Sequence, residues 1–254
     1  MLIIYRISEE SAGYKKVKPN YINNENCLKN ALRVFPPRIF KWLIIMDNIS
    51  NNTYLKLEYI LGDCTIKRVS IGNGAGTFNI ALDEALKSEE EYFYFIENDY
   101  VHLPNSPMII QDAFELGADY VNLYDHPDKY LSASQGGNPY IEEDNSEVTK
   151  LYLGKYCHFK LNFSATMTFA ATKKSLKRDE AILRKWTNID GYPRDFDMFT
   201  ELTKQNGQTM LCPIPGCATH GEVAWLAPLP QYYPYLFDSL EEEWMKECLN
   251  VRNI

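Results

Sequence analysis

Four short apolar runs punctuate the first hundred residues: LIIYRI at 2–7, KWLIIMD at 41–47, TIKRVSI at 65–71 and EYFYFIE at 91–97. Their β-branched and aromatic composition is that of buried strands. The segments between them have helical character. NNENCLKNALRVF (23–35) stops at Pro36-Pro37, and TYLKLEYILG follows the second run. After the third run, GNGAG opens into TFNIALDEALKSEEE, where Phe78, Ala81, Leu82 and Ala85 fall on one helical face. Strands alternating with helices predict an α/β domain with a mainly parallel central sheet flanked by helices, and ligands at the strand C-terminal ends.

The second half is less regular. A helix is predicted near 106–117, a strand at ADYVNLYD (118–125) and a mobile loop over the Gly-, Ser-, Asn- and acid-rich 132–149. LGKYCHFK and FSATMTFAAT are predicted as a strand pair. LKRDEAILRKW is a helix, and GYPRDFDMFTELTKQNG a second one that stops at Asn206-Gly207. The end is a Pro- and Tyr-rich loop with a short amphipathic helix. No internal repeat or linker divides the chain, so 1–254 is expected to be a single domain.

The net charge of −8 argues against a nucleic-acid partner, which needs a basic face. It leaves room for a phosphate group held through a metal ion. The six cysteines are scattered without a CxxC, as in a reduced, cytoplasmic protein. MLIIYRISEE lacks a signal-peptide pattern, and the apolar-rich run IFKWLIIM at 39–46 is too short to span a bilayer. A soluble protein without a transmembrane segment is expected.

Chemistry-bearing residues cluster at the predicted strand ends. Glu97 and Asp99, in FIENDYVHLP, stand one residue apart; on an extended segment both carboxylates point the same way and offer oxygen ligands to a hard divalent cation. Asp47 ends the second strand and either meets a nucleobase edge or makes an Asx-turn. The glycine cluster is G-x-G-x-G, without the third glycine of a dinucleotide fingerprint. It is a tight strand-to-helix turn or a loop approaching phosphate or sugar. Asp195 is placed as an N-cap or as a general base facing a cleft. Asp197, two residues on, points elsewhere. His220 and His126 are each a metal ligand or a plain histidine.

In order along the chain, these features resemble a glycosyltransferase of the GT-A fold, in its family-2-like group. LIIYRIS matches the first strand and IIMDNISNNT the strand ending in an acid and a Ser/Thr turn. GNGAGTFNIALDEA is similar to the N-x-G-x-x-x-A-R-N loop-helix, with Phe78 in place of its arginine. FIENDYVHLP lies at the D-x-D, with Glu97 for the first Asp, and RDFDMFTEL at E-D-x-D-L, with Arg194 for its first acid. A narrower likeness, to small virus-encoded glycosyltransferases, rests on E-[ND]-D-Y-x-H-L-P and L-Y-D-H-P-D-K-Y; on that likeness the location is the host cytoplasm.

The resemblance implies a nucleotide-sugar half at 1–100 and an acceptor half at 101–254. It implies transfer of a sugar, from a UDP-sugar by preference, to a hydroxyl of a glycan with inversion. Asp195 is then the catalytic base. Asp99, Glu97 and His220 are the ligands of Mn²⁺ or Mg²⁺. Tyr5, Arg6, Asp47, Gly74, Asn79, Asn98, Asp125 and His126 bind substrate, and Tyr124, Tyr130, Trp225 and Tyr232 offer flat faces to sugar rings. The competing enzyme is a sugar-nucleotidyltransferase, whose Gly-rich loop belongs directly after the first strand, where YRISEES stands instead. A non-catalytic nucleotide-sugar- or carbohydrate-binding relative is the other alternative, resting on Glu97 and Arg194.

Overall fold

The structure, a computed structural model, describes residues 1–9, 17–141 and 147–227. The predicted alternation forms: β1 (Leu2–Ser8), α1 (Asn24–Val34), β2 (Lys41–Asp47), α2 (Asn51–Leu61), β3 (Thr65–Val69), α3 (Gly74–Lys87) and β4 (Tyr92–Glu97). Polar side chains set the helix starts. Asn23, Ser50 and Asn73 each accept a bond from the backbone N–H three residues on, satisfying a donor the helix leaves free.

β5 (Tyr100–His102), α4 (Ser106–Glu115), β6 (Tyr120–Val121), β7 (Leu151–Leu153), β8 (His158–Asn162) and β9 (Phe169–Thr172) follow. After them come α5 (Lys173–Lys185), α6 (Asp195–Thr200), β10 (Met210–Ile214) and β11 (Ala218–His220), with a π-helical turn over Glu201–Gln205 continuing α6. Among the described residues nine strands make one sheet in the order β3-β2-β1-β4-β9-β6-β10-β8-β7. β9 and β8 run against the others, and the remaining seven share one direction. The class is therefore α/β with a large, mostly parallel sheet, as the alternation predicts. The same sheet contains strands of both halves of the chain.

The pleat divides β1 between two cores. Ile3, Tyr5 and Ile7 pack on the α1 and α2 side with Leu28 and Leu57; Ile4 packs on the other with Phe78 and Leu176. Arg6 shares the face of Ile4. That parity decides which β1 side chain reaches the functional end.

Several predicted elements differ. The 118–125 strand is only two residues long, because the Asn122 side chain bonds both the N–H and the C=O of Tyr124 and closes a local turn. β8 pairs with β7 as a hairpin, whereas β9 inserts between β4 and β6, so LGKYCHFK and FSATMTFAAT are not partners. α3 starts three residues before TFN, with both Gly74 and Gly76 inside it, because Asn73 caps it by accepting from the Gly76 N–H at 2.7 Å. The 132–149 segment carries a 3-10 turn at Ala133–Gln135, and its 142–146 part lies outside the described residues. The C-terminal amphipathic helix and Tyr232 also lie outside them. None of the described cysteines is in a disulfide. No described helix is long and apolar enough to cross a membrane.

Candidate active site

A cleft of about 510 Å³ opens at the C-terminal ends of β1, β2 and β4. Arg6, Asp47, Gly74, Glu97, Asn98 and Asp99 line it, six of the predicted site residues gathered from four segments. The parallel block produces this: each strand ends at the same edge, and its last side chains face one crevice.

Arg6 forms the floor. Its guanidinium is 5% exposed, donates to the carbonyls of Gly74 (3.0 Å) and Met167 (3.2 Å), and pairs with Glu97 at 3.3 Å. Its Cζ lies 5.7 Å from the centre of the Phe78 ring. A cation thus sits beside the helix position where the resembled pattern carries arginine, but it is supplied by β1.

Asp47 serves the loop. Its carboxylate accepts from the N–H groups of Ile71 (2.6 Å) and Gly72 (2.8 Å), where Gly72 adopts φ +76°. This fixes the entry to α3 and makes Asp47 first a shaping residue of the cleft. In the same way Asn98 ties two segments, donating to Asn24 Oδ1 at 2.5 Å and to the Ser8 carbonyl at 3.4 Å.

Glu97 and Asp99 do not act as a parallel pair. The backbone turns at Asn98 and Asp99 before β5, so the alternation that would align them is broken. Glu97 faces Arg6. Asp99 faces His220, with Oδ2 3.2 Å from Nε2, and the same oxygen is 2.9 Å from Lys18 Nζ. Pairing of β5 with β11 sets Tyr100 opposite His220 and so carries the histidine across 121 residues of sequence. The Gly221 N–H donates to the Asp99 carbonyl at 2.8 Å and locks the junction. Burial pushes the Asp99 carboxyl up, and the neighbouring His220 and Lys18 outweigh it, holding it well below the usual carboxylate range.

One carboxylate oxygen and one imidazole nitrogen at this separation suit Mn²⁺ or Mg²⁺ when a ligand's oxygens complete the shell. Among the described residues no three His, Cys, Asp or Glu side chains converge, so the chain alone does not build a closed cage. The cleft also needs a cation to receive an anion. Among the described residues its lining carries the carboxylates of Glu9, Asp47, Glu97, Asp99 and Asp190 and one guanidinium, that of Arg6, while Lys18 and Arg194 pair with Asp99 and Asp190 from outside the lining. A bound diphosphate in that field is repelled unless positive charge accompanies it. The residues present therefore fit a shared divalent cation.

The remaining predicted residues lie elsewhere. Tyr5 is fully buried, its ring 6.3 Å from that of Trp42, because β1's pleat turns it from the face of Arg6. Asn79 donates to the Thr187 carbonyl (3.3 Å) and to Asn188 Oδ1 (3.1 Å), fastening the 187–194 segment to α3. Asp125 is buried in an ion pair with Lys160 (2.7 Å) and accepts from the Tyr130 hydroxyl (2.6 Å). His126 accepts from the Asp128 N–H (3.1 Å) and stacks near Trp225, ring centres 5.1 Å apart. These four are not among the residues that line the cleft, and their contacts within the protein are those just given. Tyr124 is likewise buried, and Lys160 covers the Tyr130 ring at 4.5 Å.

Asp195 is the first residue of α6, with Arg194 at the cap position; its Oδ1 accepts from the Phe196 N–H at 2.8 Å. It is half-buried and stands three residues past Tyr192, which lines the cleft wall; Asp195 itself is not among the lining residues. Sequence reading missed Tyr192, 71% exposed on that wall, Asp190, paired with Arg194 at 2.6 Å, and Lys18. The only signals for them were the Gly-Tyr-Pro turn and the lysine-rich loop before Asn20.

Two crystal structures of S. aureus TarS, a GT-A-type glycosyltransferase, match this architecture. At 14% identity they align over 99% and 98% of this chain, with TM-scores of 0.51 and 0.50. The chain has a GT-A fold. It spans 42% of one TarS chain and 65% of the other. A structure of the bifunctional IspDF from Campylobacter jejuni aligns over 83% of this chain and 48% of its own, with 10% identity and a TM-score of 0.44. No protein-family model and no curated protein matches the chain. Within the GT-A fold, the cleft described above lies at the carboxyl edge of the parallel strands, where an α/β sheet receives its ligand.

Proposed function

We propose that this chain is a metal-dependent glycosyltransferase that moves a sugar from a nucleotide-sugar, a UDP-sugar by preference, to a hydroxyl of a glycan or related acceptor. The observation that carries the proposal is the convergence of Asp99 and His220 at 3.2 Å on the rim of an acidic cleft in a GT-A fold. When bound there, Mn²⁺ or Mg²⁺ supplies the positive charge that a departing nucleoside diphosphate requires.

The chain's own residues divide the remaining work. Arg6, anchored by two carbonyls, sets a fixed positive charge in the cleft floor, while Glu97 restrains it. Asp47 and Asn73 hold the Ile71–Gly74 loop against the cleft so that its backbone faces the donor. Asp195 takes the proton from the acceptor hydroxyl as that oxygen attacks the anomeric carbon from the face opposite the leaving group. A single displacement of this kind inverts the anomeric configuration. Tyr192, exposed beside it, offers a face to the acceptor ring. The likeness of FIENDYVHLP and LYDHPDKY to virus-encoded enzymes supports placing the protein among them, in a host cytoplasm.

A panel of UDP-, GDP- and dTDP-sugars with Mn²⁺ tests the reading through nucleotide release. Metal-dependent release of a nucleoside diphosphate from one donor is expected. Release of pyrophosphate from a nucleoside triphosphate would favour a nucleotidyltransferase instead. Donor binding without any release would leave a binding relative.

A further inference from the structure

Lys18 sits at the point the cation has to occupy. Its Nζ is 2.9 Å from Asp99 Oδ2, the same oxygen that His220 Nε2 approaches at 3.2 Å. The arrangement is held from behind. Val223 donates its N–H to the Val17 carbonyl at 2.9 Å, and Ile22 donates to the Pro19 carbonyl, also at 2.9 Å, so the backbone around Lys18 is pinned to the β11 end of the site. The side chain is still a third exposed, and a four-carbon stem rotates freely into solvent.

We propose that Lys18 is a displaceable counter-ion: it neutralises Asp99 in the donor-free protein, and a divalent cation enters the Asp99–His220 pair only by expelling the ammonium. This rests on the glycosyltransferase reading for the identity of the ligand, but the competition itself concerns only Lys18, Asp99 and the cation. The ammonium and the cation compete for the same carboxylate oxygen. An ammonium and a dication about 4 Å apart repel strongly even at an effective dielectric near 20. The cation alone has to meet that cost. A cation arriving with a nucleoside diphosphate does not, because the phosphate oxygens complete its shell and give the released ammonium an anionic partner. Lys18 therefore couples cation binding to donor binding and keeps the acidic cleft from holding a bare metal ion.

The test is a direct titration of Mn²⁺, followed by the electron paramagnetic resonance of free Mn²⁺, with and without UDP and with no acceptor present. Wild type is expected to bind Mn²⁺ weakly alone and about tenfold or more tighter with UDP. Lys18→Met is expected to bind Mn²⁺ alone about tenfold tighter than wild type, and to show a smaller gain from UDP. Lys18→Arg, which keeps the charge, should resemble wild type. Equal affinity of wild type and Lys18→Met without nucleotide overturns the proposal. So does tight binding by Lys18→Met that survives Asp99→Asn, which would place the ion elsewhere. Turnover is not measured, so absence of sugar transfer in the donor panel and failure of this competition are separate results.

Discussion

Asp99 stays ionised inside the protein because two basic side chains share one of its oxygens, and that charge makes it the anchor of the proposed site. Asp99→Ala is expected to abolish Mn²⁺-dependent nucleotide binding, measured by calorimetry, while Asp195→Asn keeps binding and loses turnover by about two to four orders of magnitude, the usual worth of a general base. Full activity in Asp195→Asn would reduce that residue to a helix-start role. His102 presents the opposite case. It is fully buried, its Nε2 is 2.7 Å from the Tyr94 hydroxyl, and burial lowers its pKa to about 3. The unfolded chain takes up a proton near pH 6.5 while the native imidazole stays neutral. Stability is therefore intact above about 6.5 and falls as the pH drops toward 3, with a slope approaching about 1.4 kcal/mol per unit. Urea midpoints measured from pH 7 to pH 4 should show this slope in wild type, and a flatter one in His102→Gln.

At the scale of the element, α3 shows how a helix is adapted to its neighbour strand. Phe78 is fully buried, with ring centres 5.4 Å from Phe95 and 6.0 Å from Phe169, and the Arg6 guanidinium rests against its face. Restoring the resembled pattern by Phe78→Arg would place a second guanidinium beside the first, without a partner. A loss of about 3–5 kcal/mol is expected in chemical denaturation, the range for an uncompensated buried charge. Retained stability with improved donor binding would mean that the helix arginine and Arg6 are compatible. Gly76 has a different constraint: a Cβ there would come within 2.4 Å of Ile71 Cγ2, so the exposed Ile71 side chain would have to turn away to admit one.

Across the whole molecule, two sets of long-range contacts hold the site in place. One joins β5 to β11 and sets His220 beside Asp99. The other joins β8 to the 125–147 segment, where Lys160 meets Asp125 at 2.7 Å and Glu147 at 3.4 Å, all nearly excluded from solvent. Removing Lys160 takes the ion-pair partner from two buried carboxylates, although Asp125 keeps the Tyr130 hydroxyl and Glu147 the charge of Lys129. Lys160→Met is therefore expected to lose about 3–5 kcal/mol of stability in urea unfolding. A change below about 1 kcal/mol would show that solvent reaches the pair.

The sequence by itself determined the alternating strands and helices, the edge at which ligands gather, and the acids that stand there. Hydrophobic period and turn chemistry are local, and LIIYRI, KWLIIMD and EYFYFIE declare their burial without help from the rest of the chain. Asp47, Glu97 and Asp99 were legible for the same reason, as polar residues ending apolar runs. Only the tertiary structure decided how the side chains share the work. Strand parity sent Tyr5 into one core and Arg6 to the cleft floor. A turn at Asn98 and Asp99 separated Glu97 from Asp99, the pairing of β5 with β11 brought His220 to an Asp99 carboxylate oxygen, and Lys18 reaches the same oxygen from the segment that Val223 holds at Val17. Such contacts depend on which strands pair and on where the backbone stops being extended, and neither is written in the residues that finally meet.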